Sequence, residues 1–116
     1  MSNTKVIPVR YDGGCTSILL PQWLDQTTRP NQKKFLKLAA QHRTDYPENV
    51  EAVKEFGAYL DEAIANAKKE VAVCEAYARS WPEKKEAQTE VKRAKNALKR
   101  LQDVKADYTA ALEKYK

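Results

Sequence analysis

From Val91 onward the chain carries Val91, Ala94, Leu98, Leu101, Lys105, Tyr108, Leu112 and Tyr115 at alternating steps of three and four. That spacing lines one stripe of an α-helix, and only Lys105 interrupts its apolar character. A second row at steps of seven, Ala97, Val104 and Ala111, widens the face beyond what a two-stranded seam requires. More than one partner surface is therefore expected, either another element of the chain or a second copy of it.

The preceding segment repeats the pattern with Val53, Phe56, Leu60, Ala63, Ala67, Val71, Cys74, Ala78 and Trp81, flanked by Ile64 and Tyr77. Its many alanines favour helix and permit close approach of a neighbouring helix. Two stripes of similar length joined by a very short connector are most simply buried against each other. The pattern thus predicts a mainly α protein: a long antiparallel helical hairpin, coiled-coil-like, with helices over 45–80 and 81–116. At about 1.5 Å per residue each arm spans roughly 50 Å, which leads to the expectation that the hairpin protrudes.

At the joint, Ser80-Trp81-Pro82-Glu83 reads as a capping box, with Ser80 capping the second helix and Glu83 reaching back to it. Pro82 disfavours helical dihedrals at Trp81 and lacks the amide a continuing helix would use. The alternative is a single kinked rod, which would leave its apolar stripe in water unless it dimerised. Thr28-Arg-Pro30 and Asp45-Tyr-Pro47 resemble Ser80-Trp-Pro82, and all three are expected to start helices.

The first 27 residues have a different character. Residues 1–4 are expected to fray. Lys5–Tyr11 and Cys15–Leu20 are β-branched or apolar runs separated by Asp12-Gly13-Gly14, a hairpin signal. Pro8 places its strand at an edge. An isolated hairpin is marginal in water, so it is expected to lie as a lid on the helices; the other reading is an edge that recruits a partner strand. Pro21–Asp25 suggests one helical turn anchored by Trp23 and Leu24. A short helix over 28–43 follows, its buried side formed by Phe35, Leu36, Leu38, Ala39 and Ala40. The whole, 1–116, is expected to be one domain.

Hydrophobic content of 42% and charge of 32% fit a folded helical chain rather than a disordered one. The net charge of +5 is unevenly spread. Residues 1–47 hold seven Lys/Arg against three Asp/Glu, residues 48–81 four against seven, and residues 82–116 ten against six. An acidic helix beside a basic one favours their pairing. No apolar run is long enough for a membrane span, and Lys5, Pro8, Arg10 and Asp12 interrupt any signal-peptide core. A cytoplasmic protein with Cys15 and Cys74 as reduced thiols is the expectation.

Candidate chemistry is sparse. His42 has no second histidine with which to share a metal, and Asp45 is better used as a cap. Cys74 falls on the apolar stripe, where a small hydrophobe suffices. Asp12-Gly13-Gly14 is too short to cradle a phosphate. The sequence therefore predicts a non-enzymatic protein without a cofactor or bound metal: a protein-binding, regulatory module of adaptor or inhibitor type. Its candidate interface is Tyr59 with Ala97, Val104 and Ala111, the last three also a surface for self-association, and Tyr77, Tyr108, Tyr115 and Trp81 offer further amphipathic rings. The alternative is nucleic-acid binding by a basic helix face of Lys85, Lys92, Arg93, Lys95, Lys99 and Arg100. Glu86, Glu90 and Asp103 interrupt that face, and no aromatic ring is interleaved to stack on bases.

Overall fold

The computed structural model describes residues 5–115; the expectation about residues 1–4 falls outside them. The order is β1 (Lys5–Tyr11), β2 (Gly14–Leu20), α1 (Gln22–Gln26), α2 (Arg29–Gln41), α3 (Pro47–Ser80) and α4 (Lys85–Lys114). The chain is mainly α, with α3 and α4 packed antiparallel and an N-terminal β-hairpin. Two compact units form: Met1–Ala58 with Ala106–Lys116, and Tyr59–Lys105.

In the first unit, β1 and β2 pair antiparallel with Tyr11 opposite Gly14 and Lys5 opposite Leu20. Only Asp12 and Gly13 lie between the strands. Gly13 has φ +91°, while no other residue described has positive φ. A positive φ at the second turn position alone is the type II signature, not the type I′ turn that Asp-Gly often forms in hairpins. Side chains alternate strictly: Ile7, Val9, Ile18 and Leu20 are buried, whereas Val6, Pro8, Arg10, Cys15, Ser17 and Leu19 face out.

The register also explains Pro8. A two-residue loop makes Tyr11–Gly14 a hydrogen-bonded pair, and such pairs alternate with non-bonded ones. Pro8, opposite Ser17, falls at a non-bonded pair, where its amide position points away from β2. Its missing N–H therefore costs the hairpin nothing.

At the next outward-pointing position, Asn49 does what a third strand would do. Its Oδ1 accepts from the Arg10 amide at 2.8 Å, and its Nδ2 donates to the Arg10 carbonyl at 2.7 Å and to the His42 carbonyl at 2.7 Å. Asn49 is fully buried. One amide side chain thus ties the outer edge of β1 to the start of α3 and to the end of α2. Gln32, the other buried polar side chain among the described residues, donates to the carbonyls of Thr27 (3.0 Å) and Leu24 (3.3 Å), fixing α1 against α2.

Apolar packing fills the space enclosed by these ties. Trp23 meets Phe35 at 5.3 Å and Phe56 at 5.7 Å between ring centroids, and Phe56 meets Tyr108 at 5.6 Å. These tilted and edge-on contacts are the arrangements aromatic quadrupoles favour. The predicted inner side of α2 is buried at Phe35, Leu36, Ala39 and Ala40, with Leu38 half-buried. Tyr108 donates to the Val53 carbonyl at 2.9 Å, and its ring lies against Gly57, where an added Cβ would sit 2.6 Å from the phenol oxygen. Arg29 grips both carboxylate oxygens of Asp107 at 3.1 and 3.2 Å.

In the second unit, Leu60, Cys74 and Ala78 of α3 and Ala87, Ala94 and Val104 of α4 are buried. Lys105 bonds Asp61 at 2.8 Å and Lys95 bonds Glu75 at 3.4 Å, so the sequence numbers run in opposite senses on the two helices. Lys105, the one polar member of the predicted stripe, is accommodated because its stem can lie along the seam while its ammonium reaches a carboxylate.

The joint differs from the expected capping box. Ser80 is the last residue of α3, and its hydroxyl donates back to the Ala76 carbonyl at 3.1 Å. Trp81 still donates its amide to Tyr77, and Lys84 donates to Trp81 across the turn, at 3.1 Å each. The back-bond inside the last helical turn competes with the capping role and wins. The other two proposed caps differ as well: Thr28 precedes α2 without a side-chain cap bond, and Asp45 binds His42 at 2.8 Å instead. Cys15 and Cys74 are both free thiols, in line with the expected reduced pair.

Replacing Asn49 with alanine leaves three backbone groups without their partner, and we expect a loss of about 2–4 kcal/mol in denaturant unfolding; a loss near zero would contradict the role given to this amide. Gly57→Ala gains helix propensity of about 1 kcal/mol but forces Tyr108 off Val53. Net destabilisation is expected, and combining it with Tyr108→Phe should cost less than the two single losses added.

Candidate functional site

The second unit exposes three large side chains in succession on α3 and the residue after it. Val73 is 63%, Tyr77 44% and Trp81 47% accessible. Steps of four keep them on one flank of the helix, and the Trp81 amide bond to Tyr77 continues the helical spiral to the last of them. The Trp81 ring carries the Lys84 ammonium over it at 4.9 Å. Large apolar groups exposed in a row are the informative departure from ordinary surface, where such residues are scattered singly.

Two carboxylates stand near the start of this flank. Glu70 accepts a bond from the Cys74 thiol at 3.7 Å, and burial, then Glu70, then Glu90 push that thiol above its ordinary pKa. Both carboxylates therefore stand close to Cys74, the Glu90 one reaching across from α4. Arg93 bonds Glu90 at 3.3 Å, and Lys85, Glu86 and Thr89 border the same shallow notch on α4.

The predicted site residues are dispersed. Lys85, Lys92, Arg93, Lys95, Lys99 and Arg100 are all exposed, but Arg93 is engaged by Glu90 and Lys95 by Glu75. The row Ala97, Val104, Ala111 does not make one open face: Val104 is buried, Ala97 exposed and Ala111 half-buried. Val104 already has its cover and is unavailable to a partner. Tyr59 is half-buried. Tyr77 and Trp81, expected chiefly in the seam, are instead exposed, whereas Tyr108 does pack inside.

Val73 was not singled out by the sequence pattern because it lies off the buried stripe. Its signal was present all the same, in the four-residue spacing to Tyr77 and Trp81.

The first unit offers a second concavity, a groove of about 420 Å³ whose lining includes Val50, Val53 and Leu112 together with Arg43 and Lys54. Arg43 is held there by the Leu112 carbonyl at 2.9 Å. His42 and Asp45 form a pair on the α2–α3 loop, with Tyr11 6.4 Å from the imidazole. Among the described residues no group of three or more His, Cys, Asp or Glu is placed to hold a metal ion, and no helix is long and apolar enough to cross a membrane. The chain matches no protein-family model, no curated protein and no solved structure.

The two thiols separate cleanly. Cys15 is exposed and Cys74 buried, so a thiol reagent at pH 8 should label Cys15 first and Cys74 only on unfolding. Because the folded thiol of Cys74 titrates above its unfolded value, its contribution to stability is present below the unfolded value and is lost as pH rises through the folded one. Cys74→Ala should therefore flatten the alkaline fall in stability; equal labelling of both cysteines in the native state would contradict this placement.

Proposed function

We propose that this chain is a non-enzymatic protein-binding module, of adaptor or inhibitor type, that takes an amphipathic helix of its partner along the Val73–Tyr77–Trp81 flank. The observation that carries this reading is the run of three large apolar side chains left accessible at helical spacing. A helix laid along α3 matches that spacing with its own i, i+4 and i+8 positions. Trp and Tyr are the residue types that concentrate binding energy, because their rings bury much area at little entropic cost.

The chemistry of the flank narrows the partner. Glu70, one helical turn before Val73, and Glu90, close to Cys74 beside it, stand at one end of the flank, so the fitting helix carries Lys or Arg beside the anchor at that end. Phosphate binding along α4 is the weaker reading, since at least two of its six cations are already paired with carboxylates of the same unit.

The test is a photo-crosslinking residue at Tyr77, with the same residue at Lys99 as control. A specific protein adduct from Tyr77 alone, abolished by Trp81→Ala and weakened by joint Glu70→Lys and Glu90→Lys changes, is the expected outcome. Trp81→Ala should cost at least about tenfold in affinity. Unchanged binding in that variant would remove this flank as the site. Binding that is lost instead with Lys92→Gln, Lys99→Gln and Arg100→Gln, and that falls steeply with salt, would establish the phosphate reading.

A further inference from the structure

The two edges of the β-hairpin are treated very differently. On β1 the outward-pointing groups belong to Val6, Pro8 and Arg10. Pro8 has no amide to offer, and both backbone groups of Arg10 are taken by Asn49. Lys5 and Arg10 add charge. These are the devices by which proteins blunt a strand edge.

On β2 none of them is present. The strand Gly-Cys-Thr-Ser-Ile-Leu-Leu contains no proline and no charged residue. By the register that explains Pro8, the outward-pointing amides and carbonyls are those of Cys15, Ser17 and Leu19. Nothing in the described chain bonds to them, and all three residues are exposed. Beside this edge, Leu19 and Val6, directly opposite each other, are 49% and 55% accessible. An uncharged strand with open polar backbone and an apolar pair beside it is a template for another strand.

We propose that the open edge of β2 pairs antiparallel with β2 of a second copy of this chain, centred on Ser17, to give a continuous four-stranded sheet across a two-fold axis. Three features favour a second copy as the occupant. Only outward-pointing residues exchange bonds across such an edge, and a centre at Ser17 brings all three into register: Ser17 faces Ser17 of the partner copy, and Cys15 faces Leu19 of the partner copy. Any neighbouring centre pairs fewer of them. With no charge on β2, two copies meet there without like-charge opposition, the hairpin's Lys5 and Arg10 lying on the far strand. The two-fold axis stands perpendicular to the sheet, so it keeps the buried faces of both hairpins on one side and sets both Val6–Leu19 pairs on the other, each Leu19 beside Cys15 of the partner copy.

This pairing uses a surface separate from the α3 flank and stands or falls independently of the proposed function. The test is sedimentation of the full chain together with directed disulfides. The native chain should show a dimer in reversible equilibrium with monomer. Leu19→Lys, which blunts the edge as natural edges are blunted, should weaken self-association at least about tenfold while far-UV circular dichroism stays unchanged. In a Cys15→Ser background, Ser17→Cys should cross-link into dimers on mild oxidation, because the paired Cα atoms would lie about 5.5 Å apart, inside disulfide range.

Leu19→Cys with Cys15 retained should cross-link likewise, and Glu51→Cys in the Cys15→Ser background should not. A strictly monomeric chain at millimolar concentration, or cross-linking at Glu51 as efficient as at Ser17, would overturn the proposal. So would dimerisation that Leu19→Lys leaves intact, which would assign the contact to another surface such as the Val73–Trp81 flank.

Discussion

Two long amphipathic helices cannot each leave an apolar stripe in water, and that constraint organises everything else in this chain. Burial of apolar surface contributes about 25 cal/mol per Å², far more than the exposed ion pairs that decorate the seam, each worth about 1 kcal/mol or less. Lys95–Glu75 and Lys105–Asp61 therefore select the antiparallel register more than they hold the helices together. The acidic excess of α3 and the basic excess of α4 act in the same direction. Within the first unit the seam is closed by a neutral contact instead, Tyr108 against Val53 and Gly57, where only glycine leaves room for the phenol.

A two-stranded sheet has no independent stability, and the first unit supplies what it lacks in two ways. Ile7, Val9, Ile18 and Leu20 turn their side chains to the buried face. Asn49 supplies to β1 the paired donor and acceptor of a neighbouring strand. The same side chain holds the end of α2, so strand, loop and long helix converge on one buried amide. Selective protection of β1 is what leaves β2 as the strand with unspent hydrogen-bonding capacity.

Spacing made the helices legible: the three-and-four alternation of Val91 to Leu112 and of Val53 to Ala78 placed both long elements, and the β-branched runs around Asp12-Gly13 placed the hairpin. What spacing could not resolve were choices between near-equal local bonds. Ser80 could cap the following helix or bond back to Ala76, and Asp45 could cap α3 or bind His42; both hydrogen bonds in each case are short-range and similar in strength. Asn49 reads in sequence as one more polar residue of a first helical turn, because its partners Arg10 and His42 come together only in three dimensions. Spacing alone puts Tyr77 and Trp81 in the seam, but amphipathic rings suit both inside and outside, and their exposure depends on where the buried sector of α3 falls.

The doubling back of the chain is most directly tested by the separation of spin labels placed at Glu51 and Glu113 within one molecule, measured by pulsed dipolar spectroscopy under dilution with unlabelled protein. Val50, Val53 and Lys54 share a groove with Leu112 and Glu113, so the account predicts a narrow distribution below about 25 Å, a helix–helix spacing plus two label arms. A separation near 90 Å, the length of an unbent helix between those positions, would contradict the antiparallel pairing and every functional inference built on it.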